Sequence, residues 1–119
     1  MKFFIIDDDP EIVEVMKAVL EDAGHTVDSR ASGVSGLSWI DSKRPDCLIT
    51  DLMMAEMDGL ELCRQVRAKK ELNRTKIIFV SGRGGDVWKK RAKDAGAQGY
   101  ITKPIDPAAF VDQVMEILK

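Results

Sequence analysis

Long hydrophobic runs are missing from this 119-residue chain. None approaches the ~20 apolar residues that cross a bilayer. The apolar start is too short, and too early in a strand, to be a signal peptide. The expectation is a cytoplasmic protein with no membrane role. Cysteine is scarce as well: Cys47 lies in an apolar run and Cys63 among helical core positions. Without CxxC spacing they read as buried thiols and argue against a disulfide framework or a thiolate metal site. The one histidine, His25, follows Gly24 in a loop and has no partner at ligand spacing. It reads as a surface residue, not a phosphate relay. Neither sign of charge dominates, with 18 Lys and Arg against 20 Asp and Glu. The formal net charge of −2 gives no long-range pull toward nucleic acid or membranes. No linker, repeat or low-complexity tract interrupts the chain, which has the length of one domain.

What is present is an alternation. Five apolar runs read as strands over Lys2–Ile6, Thr26–Arg30, Cys47–Thr50, Lys76–Val80 and Gly99–Ile101. The first, third and fourth are almost continuously apolar, as strands covered on both faces require. The second, Thr26-Val27-Asp28-Ser29-Arg30, is polar and belongs at an edge. Between them run helical patterns. The first helix is capped by Asp9, with Pro10 in its first turn and Glu11 complementing the dipole. Ile12, Met16, Val19, Leu20 and Ala23 mark its apolar face, and Gly24 stops it. Further helices fall near 34–42, 60–70 and 86–95, and Asp106-Pro107 starts the last, whose face carries Phe110, Val114, Ile117 and Leu118. Such alternation with short loops predicts a flavodoxin-like (βα)5 three-layer sandwich, its parallel sheet ordered 2-1-3-4-5.

The chemistry gathers where strands give way to loops. In an open parallel sheet those carboxyl ends lie side by side and form the ligand crevice. Asp7, Asp8 and Asp9 follow the first strand, Asp51 the third, Ser81 the fourth and Lys103 the fifth. Asp9 is accounted for as a helix cap. Asp7, Asp8 and Asp51 are not, because at ~4 Å and an effective dielectric of ~20 each carboxylate pair repels by about 4 kcal/mol. A hard cation with oxygen ligands relieves that repulsion, and Mg²⁺ fits. A flavin phosphate does not: it needs a hydroxyl- and glycine-rich loop after the first strand, where this chain has three negative charges. Asp51 at the cleft mouth is a carboxylate usable as a nucleophile toward phosphorus. The Ser81 hydroxyl can donate to a phosphoryl oxygen, and Gly82 lets backbone approach closely. The Lys103 ammonium can neutralise charge developing during transfer.

In combination, Asp7-Asp8, the run from Asp51 through Leu52-Met53-Met54-Ala55-Glu56-Met57 to Asp58-Gly59, Ser81-Gly82, Tyr100 and Lys103-Pro104 resemble the receiver domain of two-component response regulators. The single-domain chemotaxis regulator is its simplest type. The resemblance covers the whole chain and implies one receiver domain over residues 1–119. It implies that Asp51 takes a phosphoryl group from a histidine kinase or phosphotransfer protein. It further implies Mg²⁺ held by Asp8, Asp51 and the Met53 backbone carbonyl, with Asp7 acting through a water. Ser81 and Tyr100 would form a switch, and the Lys103–Pro104 bond would be cis. Ala55 stands where the family usually has proline, so the loop after Asp51 is expected to be less restrained. Met53 occupies a position that tunes dephosphorylation, and its apolar thioether can act there only sterically.

The stretch from Trp88 to Lys93 is the most basic in the chain, and Trp88 shares a face with Ala92 and Ala95. The family uses the surface of the fourth helix, fifth strand and fifth helix to contact a downstream protein target or a second copy. Here that surface would suit an acidic partner, and direct nucleic-acid binding is not expected. Two other classes fit less well. A magnesium phosphatase of the haloacid dehalogenase type wants a second acid where Met53 stands, and a pseudo-receiver would lack part of the acidic and lysine set.

Overall fold

The computed structural model describes residues 1–119. Five parallel strands, β1 (Lys2–Ile6), β2 (Thr26–Arg30), β3 (Cys47–Thr50), β4 (Lys76–Ser81) and β5 (Gly99–Thr102), form one sheet in the order β2-β1-β3-β4-β5. The helices are α1 (Pro10–Asp22), α2 (Gly33–Lys43), α3 (Gly59–Arg67), α4 (Asp86–Asp94) and α5 (Pro107–Leu118), with a 3₁₀ turn at Lys70–Leu72. This is the flavodoxin-like arrangement expected from the alternation.

Burial explains the order. Phe3 to Ile6, Cys47 to Ile49 and Ile77 to Val80 are wholly buried, whereas in β2 only Val27 is. Two apolar layers sandwich the sheet. One joins Phe4, Ile6, Leu48 and Phe79 to Ile40, Leu62, Val66 and Ala92 of α2, α3 and α4. The other joins Phe3, Ile5, Ile49 and Ile78 to Met16, Leu20, Phe110 and Val114 of α1 and α5. Each of these side chains larger than alanine contributes about 1.5–3 kcal/mol by leaving water. Cys47 and Cys63 are both free and buried within these layers.

Caps mark the helix ends. Asp9 accepts from the Glu11 amide at 3.0 Å and Asp106 from that of Ala108 at 3.0 Å, each followed by proline. Gly24, at φ 94°, ends α1, and the His25 amide donates back to the Leu20 carbonyl.

Several boundaries differ from expectation. β4 runs on to Ser81 and β5 to Thr102, because the Ser81↔Thr102 pairing outlasts the apolar runs. α3 ends at Arg67, not near Lys70; three residues later the chain turns as a separate 3₁₀ segment that buries Leu72. His25 is half-buried, its ring set edge-on against Phe3 at 5.1 Å between centroids.

Candidate functional site

The sheet register sets the site. Ile6 pairs with Thr50, so Asp7 and Asp51 leave adjacent strands at the same level, and the Asp51 amide donates to the Ile6 carbonyl at 3.0 Å. Ser81 ends β4 opposite Thr102, and its carbonyl accepts from the Lys103 amide at 2.7 Å. Four positions scattered from 7 to 103 thus share one rim of the sheet.

Side chains converge there. Carboxylate oxygens of Asp7, Asp8 and Asp51 lie within 4.8 Å of one another. Lys103 Nζ is 3.0 Å from Asp7 Oδ2 and 3.5 Å from Asp51 Oδ2. The Lys103–Pro104 peptide bond is cis. Asp7 is nearly sealed, with its other oxygen accepting from the Asp9 amide at 2.9 Å. Burial holds the Asp7 carboxyl above its usual range, against the Asp9 amide and Lys103, which pull it down; the Asp51 charge adds to the rise. Burial alone would lower the Lys103 ammonium. The hydrogen bond and charge of Asp7, reinforced by Asp51, outweigh that and raise it.

The donor set suits a small, hard cation. Three carboxylates against one ammonium leave an excess of negative charge, and every candidate ligand atom is oxygen. Asp8 is exposed and free of protein hydrogen bonds, so its oxygens are open to a ligand, whereas both oxygens of Asp7 already accept from the protein. Asp51 is intermediate: Oδ1 accepts from the Leu52 amide at 2.7 Å, and Oδ2 faces Lys103.

Asp58 and Gly59 brace the acidic residue from behind. Asp58 caps α3, accepting from the Glu61 amide at 2.8 Å. A Cβ at Gly59 would stand 2.2 Å from the Asp51 carbonyl oxygen and 2.7 Å from the Phe79 ring. Only glycine lets α3 begin this close to the backbone of Asp51. The Thr50 hydroxyl donates to that same carbonyl at 2.9 Å. Between Asp51 and Asp58 the chain makes a tight turn: the Met57 amide donates to the Ala55 carbonyl at 2.8 Å, spanning Glu56 at φ 69°. That is a γ-turn of the rarer positive-φ kind. Met53 is 51% exposed beside it.

Ser81 is almost fully buried and its hydroxyl oxygen accepts from the Arg83 amide at 3.2 Å, which leaves its O–H free to donate. A Cβ at Gly82 would meet nothing within 4 Å, so the protein's own packing makes no demand for glycine there. Tyr100 is half-buried, its ring 6.1 Å from that of Phe79, and its hydroxyl donates to the Arg83 carbonyl. β5 is thereby tied to the loop that follows Ser81. Trp88 is also half-buried, packing on the core layer beneath α4, with the Arg91 and Arg83 guanidinium groups 4.9 and 5.9 Å from its ring centre.

Arg67 escaped the sequence reading. Its guanidinium donates to the carbonyls of Gly96 (2.9 Å), Leu72 (3.2 Å) and Thr75 (2.7 Å) and to Gln98 Oε1 (3.0 Å). It joins the end of α3, the 3₁₀ turn and the α4–β5 connection at the sheet's opposite rim.

Comparison with known proteins agrees with this geometry. The model of the response regulator receiver domain matches residues 3–115. The chain is 36% identical over its whole length to response regulator MprA of Mycobacterium avium, covering 51% of that protein. It is 32% identical over 96% of its length to the transcriptional regulatory protein CseB of Streptomyces coelicolor, covering 47% of it. The chain therefore spans about half the length of these curated relatives. The structure superposes on the chemotaxis response regulator CheY4 of Vibrio cholerae with a TM-score of 0.92 at 28% identity, over 98% of this chain and 97% of that one.

Proposed function

The chain belongs to the response regulator receiver domain family, and on that premise we propose that Asp51 accepts a phosphoryl group from a histidine kinase or a phosphotransfer protein. The observation that carries this reading is the Lys103 ammonium, set between Asp7 and Asp51 at 3.0 and 3.5 Å. An Asp51 oxygen attacks phosphorus as the bond to the donor nitrogen breaks, giving an acyl phosphate. Lys103 neutralises charge on the transferred group, and the Ser81 O–H donates to one of its oxygens with the Gly82 backbone alongside. The residues that would hold Mg²⁺ are Asp8, Asp51 and the Met53 backbone carbonyl, with Asp7 acting through a water. When bound there, Mg²⁺ would supply positive charge against which phosphoryl oxygens could enter an acidic pocket.

Ser81 and Tyr100 would then act as the switch. Movement of the Ser81 hydroxyl toward the phosphoryl group disturbs the loop whose Arg83 carbonyl holds Tyr100. The output is a changed protein-binding surface on α4, β5 and α5, taken by a downstream target or a second copy, without direct contact to nucleic acid. The chain works as a cytoplasmic switch that catalyses only its own phosphorylation and dephosphorylation. Met53 occupies the position of the second acid that a phosphatase of this architecture uses, and its side chain influences hydrolysis sterically. Incubation with acetyl phosphate and Mg²⁺ followed by intact mass spectrometry tests this. A single phosphoryl adduct on the wild type, absent from Asp51→Asn, is the expected result; an adduct of equal yield on the variant overturns the assignment.

A further inference from the structure

Charge is unevenly distributed along this chain. Of the 18 Lys and Arg, eleven lie between Glu61 and Asp94, together with only four of the 20 Asp and Glu. That segment therefore carries +7 and the remainder −9, which sum to the formal −2. The segment takes in most of α3, the 3₁₀ turn, β4 and α4, and its two helices stand on the same face of the sheet. A groove of about 640 Å³ runs between them. Leu60, Ala68 and Ala95 make its floor, with Arg64 and Arg91 at its rims. This side of α4 faces α3, away from β5.

The two rim arginines are available. Arg64 is exposed and its one ionic neighbour, Glu61, is a solvated contact at 3.7 Å. Arg91 lies over Trp88, which fixes its guanidinium and reduces the freedom lost when it meets a partner. Arg67, deeper in, is consumed by the carbonyls it binds. The single lining carboxylate, Asp94, is paired with Lys90 at 3.1 Å. We propose that the α3–α4 groove docks an acidic, amphipathic polypeptide segment of a partner protein, independently of the phosphoryl chemistry at Asp51. Carboxylates of such a segment meet Arg64 and Arg91, and an apolar side chain covers Leu60, Ala68 and Ala95. Charge complementarity selects an acidic occupant, and the apolar floor selects polypeptide over nucleic acid, whose backbone has nothing to place on it.

The test uses the whole chain and a fluorescein-labelled twelve-residue peptide of Leu and Glu in helical register. A Leu/Lys counterpart and a single-stranded DNA of equal net charge serve as competitors. Fluorescence anisotropy is expected to show binding of the Leu/Glu peptide alone, with amide NMR shifts confined to α3 and α4. Arg64→Ala combined with Arg91→Ala is expected to weaken it about tenfold or more, as removal of two charge-assisted contacts does. Ala68→Glu, which puts a carboxylate on the floor, is expected to weaken it at least as much. All three positions are exposed, so native melting curves check that the variants fold. Absence of peptide binding, shifts centred elsewhere, stronger binding of the DNA, or unchanged affinity in both variants would each overturn the proposal.

Discussion

Lys103 Nζ lies 3.0 Å from Asp7 Oδ2, an ion pair between the residues that directly follow β5 and β1, the last and first strands of the chain. The pair is unequal, since Asp7 is nearly sealed from solvent while Lys103 keeps one-fifth of its side-chain exposure. Burial raises the Asp7 carboxyl above its unfolded value of 3.8, so the folded state holds that proton to higher pH. Stability from this group is therefore fully present below 3.8 and is lost as pH rises through the higher native value. Without metal, the melting temperature of the wild type relative to Asp7→Asn should fall as pH increases from about 4 toward neutrality. Added Mg²⁺ should reduce the deficit at pH 7. A difference that grows in favour of wild type with rising pH would contradict the origin given for the shift.

Gly59 sits where a methyl group would meet the Asp51 carbonyl oxygen at 2.2 Å. Gly59→Ala should therefore destabilise the fold by about 2 kcal/mol or more, although alanine favours helix elsewhere. Gly82→Ala, with open space around it, should change stability by no more than about 0.5 kcal/mol. Urea denaturation of the two variants checks both values, and equal costs would remove Gly59 from the role of spacer.

Arg67 holds three backbone carbonyls and one side-chain amide oxygen at the far rim. Removing it leaves those acceptors without their charged donor, so Arg67→Ala should cost about 2–4 kcal/mol by urea denaturation. Arg67→Lys should recover less than half of the loss, because an ammonium cannot reproduce the planar fork.

Glu56 is held at φ 69° by the turn after Asp51. Glu56→Gly should stabilise the protein by roughly 0.5–1 kcal/mol, the left-handed penalty less the added chain entropy of glycine. Thermal melting reads the difference, and a lower melting temperature would show that the turn carries no strain.

The sheet and its order were legible because buried parallel strands must be apolar throughout, as Phe3 to Ile6 and Ile77 to Val80 are, while Val27 alone is buried in β2. The convergence of Asp7, Asp8, Asp51 and Lys103 followed from the same reasoning, since strand ends in such a sheet share one rim. Strand ends were less legible. Ser81 and Thr102 are polar, and only their mutual pairing keeps them in the ladder. Arg67 could not be foreseen: its partners are backbone carbonyls, which all residues possess and no pattern marks. The demand for glycine at 59 was hidden for the same reason, being set by a carbonyl eight residues earlier. The half-burial of His25 depends on Phe3 from a neighbouring strand, and nothing local to Gly24-His25 announces it.

The central claim is that one particular carboxylate is the phosphoryl acceptor. Chain incubated with acetyl phosphate and Mg²⁺, reduced with borohydride and sequenced by tandem mass spectrometry tests it directly, because reduction converts an aspartyl phosphate to homoserine. Homoserine at position 51 alone is the predicted result. Homoserine at position 7 or 8, or none at 51 when the intact protein carries the adduct, would contradict it.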